Sequence, residues 1–245
     1  MASALLGSHP PALPGRLLVA TAERFGISGG TARVALSRMV DRGELTNEDG
    51  TYWLHGDLLE RQERQDRSRR TGPDPWGGSW EQAVVTATGR PSAERARLRQ
   101  SLTALGLGER REGVWMRPAN LDPVRQPSAR AAAADQVEWF TLAPLEMVRG
   151  RQLIVDLFDL DGWAQTASAL LVAVGDARDR LDTHDDAVVT GFNLASATLR
   201  HLMHDPQLPP ELAPSCWPAA DLRTAYDEFE WAYQKLLRQF FRAAP

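Results

Sequence analysis

The chain has 245 residues, 43% of them hydrophobic and 24% charged, with a formal net charge of −4. That supports one to three compact cores, and no apolar run approaches the ~20 residues that span a bilayer, so a soluble protein is expected. The single cysteine, Cys216, excludes an intrachain disulfide and a cysteine-built zinc site and fits a reducing cytoplasm; MASALLGSHPP lacks the features of a secretory signal.

The charge is uneven. Residues 1–72 carry a net +1, residues 73–125 a net +2 and residues 126–245 a net −7. Any contact with nucleic acid is therefore expected at the front.

Residues 2–6 form a short helix that His9-Pro10-Pro11 ends. A second helix begins near Pro14, a favoured first helical residue, and aligns Leu17, Leu18, Ala22 and Phe25. Gly26-Ile27 make a tight turn, and Ser28 caps a helix running to about Arg42. On that helix Ala32, Leu36 and Met39 recur at i, i+4 and i+7 and face a small core. Thr31, Arg33, Val34, Ser37, Arg38 and Asp41 fall on the other face. Gly43 stands where a helix end favours a left-handed residue. Glu44–Asn47 and Thr51–Leu54 then flank Asp49-Gly50, a hairpin-turn pair.

Helix, turn, helix and hairpin make a winged helix-turn-helix, with the second helix placed to enter a DNA major groove. Thr31, Arg33, Val34, Ser37 and Arg38 are the expected readers of bases or nearby phosphates. Arg42, Asn47 and Thr51 are expected to hold the DNA backbone from the helix end and wing. Gly29-Gly30, poor helix formers, would let backbone N–H groups approach a phosphate. The competing reading is a small three-helix scaffold in a ligand- or protein-binding adaptor that touches no DNA.

Glu60–Gly72, ERQERQDRSRRTG, has no hydrophobic residue and three acid-to-arginine pairs at i,i+4: Glu60–Arg64, Glu63–Arg67 and Asp66–Arg70. A solvated linker helix is the favoured expectation; the alternative has Arg67, Arg69 and Arg70 graze the phosphate backbone.

After Gly72-Pro73, strands are expected at Glu81–Ala87, Glu112–Arg117 and Val137–Leu142, with helices from Ser92 to Gly106 and over Arg130–Gln136. That order points to a small ferredoxin-like α+β unit. Helices follow at about Leu153–Val174, Asp186–Met203 and Asp221–Phe241, with the proline-rich loop Asp205–Pro218 before the last. In the last helix Leu222, Tyr226, Phe229, Tyr233, Leu236 and Phe240 alternate by four and three. Such a seam is either the inner face of a helical domain, which is favoured, or a dimer contact. The expected fold is thus multi-domain α+β: winged helix at 1–59, charged linker helix at 60–74, ferredoxin-like domain at 75–148, helical C-terminal domain at 149–245.

GISGGTARVALSRMVDRGEL at 26–45, LLERQERQDRSRR at 58–70, REGVWMRPANLDP at 111–123 and DPQLPPELAPSCWP at 205–218 together resemble the phenylacetic-acid-degradation repressor (PaaX-type) family of transcriptional regulators. The resemblance covers nearly the whole chain. It implies a homodimeric repressor that binds an operator with inverted half-sites and is released by an aryl-CoA thioester such as phenylacetyl-CoA. Two departures stand out: the first helix is a stub, and Gly29 stands where many relatives have an acidic residue. A CoA thioester needs cations for its phosphates and apolar walls for its acyl and adenine parts. Arg111, Trp115 and Arg117, read as one face of one strand, are the candidates; the competing reading places Trp115 in the core and pairs the arginines with Glu109 and Glu112.

Catalysis is not expected. The middle unit resembles small CRISPR-adaptation nucleases, yet its first strand ends Val85-Thr86-Ala87-Thr88, without a metal-binding carboxylate. Asp159-Leu160-Asp161-Gly162 opens like a calcium loop but has Leu170 where the glutamate belongs. His201 and His204, with His184-Asp185-Asp186, are sparse for a metal site. No phosphate-binding loop or nucleophile motif occurs. No catalytic residue, metal or cofactor is assigned.

Overall fold

The computed structural model describes residues 1–70, 75–122, 126–181 and 186–243. The fold is mixed α+β with two small antiparallel sheets. Among the described residues, no helix is long and apolar enough to cross a membrane. Contacts sort the chain into two compact units that do not follow chain order. One joins Met1–Arg70 with Ala167–Met203 and Asp221–Pro245; the other joins Thr71–Thr166 with His204–Ala220.

The first unit opens with α1 (Ala2–Leu6), β1 (Ala12–Pro14), α2 (Gly15–Arg24), α3 (Gly29–Asp41), β2 (Leu45–Glu48), β3 (Thr51–Leu54) and α4 (Asp57–Arg70). β3 lies between β1 and β2 and runs antiparallel to both. β1 is absent from the sequence reading, because three residues ending in proline carry no periodicity and pairing with β3 alone makes them a strand. Between β2 and β3, Asp49 (φ 49°) and Gly50 (φ 80°) are both left-handed, as a two-residue type I′ turn requires. Asn47 Oδ1 accepts the Gly50 N–H at 3.1 Å and ties the same turn. Leu5, Leu18, Leu36 and Leu45 form the centre of the core beneath these elements.

The helix read as a solvated linker is not solvated. In α4, Gln62, Gln65 and Ser68 are 4%, 5% and 3% exposed. Gln62 Nε2 lies 3.3, 3.1 and 2.9 Å from the carbonyl oxygens of Leu5, Leu6 and Ser8 and donates to the end of α1. Asp66 bonds His9 at 2.9 Å, a partner from 57 residues away; the Arg70 side chain of the expected Asp66–Arg70 pair lies outside the described residues. Gln62→Leu should therefore cost about 1–3 kcal/mol, the penalty for leaving buried acceptors unpaired, measured by urea unfolding.

α8 (Leu160–Arg180), α9 (Ala187–Leu202) and α10 (Ala219–Ala243) follow later in the chain. Leu222, Tyr226, Phe229 and Tyr233 of α10 are buried, the last three packed against Val174 of α8 and Leu199 of α9. These four residues of the seam thus line an intramolecular core. Returning α4 to this core, Arg69 pairs with Asp227 at 3.0 Å and lies over the Tyr226 ring, while Arg223 Nε donates to the Ser68 carbonyl at 2.7 Å.

The second unit holds β4 (Trp80–Val85), α5 (Ser92–Ala104), β5 (Gly108–Arg111), β6 (Val114–Pro118), α6 (Pro127–Ala133), β7 (Val137–Leu142) and α7 (Met147–Leu157). The sheet order is β5-β6-β4-β7, antiparallel throughout. One face carries Ala83, Trp115 and Val137 against Leu98 and Leu102 of α5 and Ala133 of α6. The other carries Trp80 and Met116 against Leu153, Ile154 and Leu157 of α7 and Leu208 and Leu212 of the proline-rich loop.

Two expectations are corrected here. The segment 110–117 is not one strand: Glu112-Gly113, with Gly113 at φ 74°, turns the chain between β5 and β6. The charged β5, Gly-Glu-Arg-Arg, carries no strand-like pattern. The expected helix Leu153–Val174 is two helices, because Phe158 is extended (φ −131°, ψ 139°) and Asp159 Oδ1 accepts the Gly162 N–H at 3.0 Å, opening α8.

Candidate nucleic-acid interface

α3 sorts its residues by face. Ala32, Leu36 and Met39 are buried, whereas Thr31, Arg33, Val34, Ser37 and Arg38 are exposed. Val34 is 53% exposed, unusual for a valine without a partner. Ser28 Oγ accepts the Thr31 N–H at 3.2 Å and shares a 2.9 Å hydrogen bond with Thr31 Oγ1, so the cap also fixes the Thr31 hydroxyl. Among the described residues neither Arg33 nor Arg38 forms an ion pair.

The remaining three candidates are differently placed. Arg42 is held by Glu44 through two hydrogen bonds, Nε at 2.8 Å and a terminal nitrogen at 2.9 Å. This fork raises the Arg42 pKa and lowers that of Glu44, chiefly through the hydrogen bonds themselves. Asn47 has its carbonyl oxygen engaged in the hairpin turn. Thr51 is half-buried and pairs with Glu48 on one side and Pro14 on the other. The residue missed in the sequence is thus Glu44, a lock on Arg42; the signal was an acid two positions after an arginine, across Gly43.

Gly29 and Gly30 divide as well. A Cβ on Gly29 would stand 2.7 Å from Glu23 Oε1 and 3.2 Å from Val19 Cγ1. Glu23 could swing aside, so what crowds Gly29 is Val19 Cγ1 of α2. Gly30 faces open space, with only Ser28 Oγ at 4.0 Å, and keeps room for a phosphate beside the helix N-terminus.

The three residues read as an effector cluster do not stand together. Trp115 is 5% exposed in the core under α5. Arg117 is 2% exposed and grips Glu81, with Nε at 2.7 Å and a terminal nitrogen at 2.6 Å from Oε2, and a further bond to the Leu121 carbonyl at 3.2 Å. Burial lowers the Arg117 pKa, and Glu81 opposes that shift. Arg111 stays exposed on β5. Arg111 and Trp115 do border one open cleft of about 880 Å³, together with Arg90, Arg95 and Arg99. The Arg99 guanidinium lies 5.3 Å over the Trp115 ring and pairs with Glu109 at 2.5 Å.

The carboxylate on β4, Glu81, is shared by Arg117 and Arg130 and is not poised to hold a metal. Among the described residues no three His, Cys, Asp or Glu gather as a metal site; His184 and Asp185 lie outside the described residues.

Three family models tile the chain. "PaaX-like protein" matches residues 2–57, "PaaX protein central Cas2-like domain" residues 73–154, and "PaaX-like protein C-terminal domain" residues 158–243. A solved structure, an uncharacterized protein from Mycobacterium tuberculosis, is 38% identical, covers 98% of this chain and 96% of its own, and superposes with a TM-score of 0.70. No curated protein matches the chain significantly.

Proposed function

The chain belongs to the PaaX family of transcriptional regulators, which are not enzymes, and on that basis we propose that α2, α3 and the β2–β3 hairpin form a winged helix that reads DNA. The observation that carries this reading is the outward face of α3. Arg33 and Arg38 are exposed there with no ion pair among the described residues, beside Val34 and Ser37, while the nearby Arg42 is paired with Glu44. Arg presents a fork that fits guanine, and Val34 suits a thymine methyl. The β5-β6-β4-β7 sheet with its helices we read as a ferredoxin-like scaffold without nuclease chemistry.

The protein acts in the cytoplasm as a homodimeric repressor on inverted half-sites a whole number of DNA turns apart. An aryl-CoA thioester such as phenylacetyl-CoA releases it, in keeping with control of phenylacetate catabolism. Arg111 and Trp115 remain effector candidates, with Arg90, Arg95 and Arg99 of the same cleft; Arg117 is given to Glu81.

Fluorescence anisotropy against the region upstream of its own gene, at several salt concentrations, tests the reading. Sequence preference and a linear fall of log K with log salt are expected. Binding with neither would favour the adaptor. Glu44→Gln should release Arg42 to the phosphates, tighten non-specific binding a few-fold and steepen the salt slope by about one unit.

A further inference from the structure

The open cleft of about 880 Å³ in the second unit is bordered by the end of β4, the first half of α5 and the β5–β6 turn. Four arginines stand on its wall: Arg90, Arg95, Arg99 and Arg111. Arg99 is matched by Glu109. The other three form no ion pair among the described residues. Arg90 gives one nitrogen to the Gln136 side-chain oxygen at 3.2 Å, and Arg95 gives one to the Arg90 carbonyl at 2.8 Å. Both acceptors are uncharged, so these bonds position the two cations without neutralising them. Against the three unmatched cations the wall sets Glu112. Such an excess of positive charge, in a chain whose formal net charge is −4, suits an anionic occupant. Concavity makes that occupant small: the volume falls within the range of ligand pockets, roughly 300–1,000 Å³, whereas duplex DNA is a convex rod.

We propose that this cleft binds a nucleoside diphosphate group, with the phosphates on Arg90, Arg95 and Arg111 and the base on Arg99. The three unmatched cations come from the loop before α5, from α5 itself and from β5. That is more than one phosphate engages, and each arginine fork takes phosphate oxygens in pairs. The base follows from Arg99. Trp115 is 5% exposed, too buried to stack on a ligand itself. The Arg99 guanidinium lies over that ring, 5.3 Å from its centre, and the Arg99 side chain is 62% exposed. What the cleft presents there is a planar cation backed by an indole, and a guanidinium stacks on aromatic faces. A nucleotide end held here deepens the effector reading, on which it rests for its role, by naming the part of the molecule that the cleft takes. Nucleotide binding is measured without DNA and without an acyl group, so its failure would leave release by an effector bound elsewhere untouched.

Isothermal titration calorimetry of the full chain with ADP, adenosine and inorganic pyrophosphate, each without divalent cations, tests the proposal. ADP should bind one to one and about tenfold more tightly than pyrophosphate, the gain expected from one stacked base, and adenosine should bind more weakly than either. Arg95→Ala and Arg111→Ala should each weaken ADP about tenfold, as loss of a charge-assisted contact does. Arg97→Ala removes the same charge from α5 outside the cleft and should leave ADP binding unchanged. Arg99→Lys keeps the charge but not the plane, and should bring ADP down to the level of pyrophosphate. All four side chains are exposed, so the variants should fold as the parent does, which thermal unfolding checks. No ADP binding, pyrophosphate binding as tight as ADP, or a loss in Arg97→Ala equal to that in Arg111→Ala would overturn the proposal.

Discussion

Glu81→Ala should destabilise the protein by about 3–5 kcal/mol, the cost of stranding a buried charge by removing its partner. The Arg117 side chain is 3% exposed and Glu81 12%, so water cannot replace the lost carboxylate. Arg117 has another terminal nitrogen, Nη1, buried with no partner among the described residues. In urea the midpoint should fall by roughly 1–2 M, taking a slope of a few kcal/mol per molar. Replacing both partners, Glu81→Leu with Arg117→Met, should cost far less, because no charge is left to desolvate. Arg130→Ala should also cost less than Glu81→Ala. Arg130 is 30% exposed, lies over the Trp139 ring, and leaves the Glu81–Arg117 pair intact. If the double replacement were as damaging as Glu81→Ala, packing rather than stranded charge would be the cause. In effector experiments, a loss of response in Arg117→Ala would report a damaged second unit before it reported a lost ligand contact.

What the sequence made legible was local. Asp49-Gly50 specified its turn because both positions need left-handed backbone, and nothing distant has to agree. Ala32, Leu36 and Met39 specified the buried side of α3 by spacing alone, and so did the seam of α10. What was hidden depends on partners far along the chain. Gln62, Gln65 and Ser68 look like solvated residues, yet they are buried because α4 packs where α1 ends and where α10 passes. Arg117 looked available because Glu81 lies 36 residues away on the neighbouring strand. The break between α7 and α8 was hidden by continuous apolar periodicity, and only the Asp159 side chain marks it. For the candidate site, spacing found the exposed face of α3 but not the pairing of Arg42 with Glu44, which takes the arginine nearest the wing out of immediate use.

Removing both free arginines of α3 should then be the largest single change in DNA binding. A bidentate base contact is worth about 1–3 kcal/mol, so Arg33→Ala should weaken operator binding by that much, and Arg38→Ala should add the smaller loss of a phosphate contact if the two act independently. They should not fail in the same way. At about 100° per residue the five steps between them set them some 140° apart, one at each edge of the exposed arc. Recognition helices read bases mainly with their N-terminal residues, and Arg33 is the nearer to the Ser28 cap. Arg33→Ala should therefore relax sequence preference, lowering operator affinity more than affinity for unrelated DNA. Arg38→Ala should weaken both alike and reduce the salt slope by about one unit, as loss of a phosphate contact does. Unchanged operator affinity in both variants, with thermal unfolding intact, would remove α3 as the reader. The front of the chain carries only +1 over 72 residues, so non-specific attraction is weak and one phosphate contact is a large share of it. A single head so lightly charged gains most from a second one held on the same DNA, where the next contact becomes intramolecular. Dimeric binding should for that reason lose more from Arg38→Ala than one contact accounts for, since the loss falls on both heads at once.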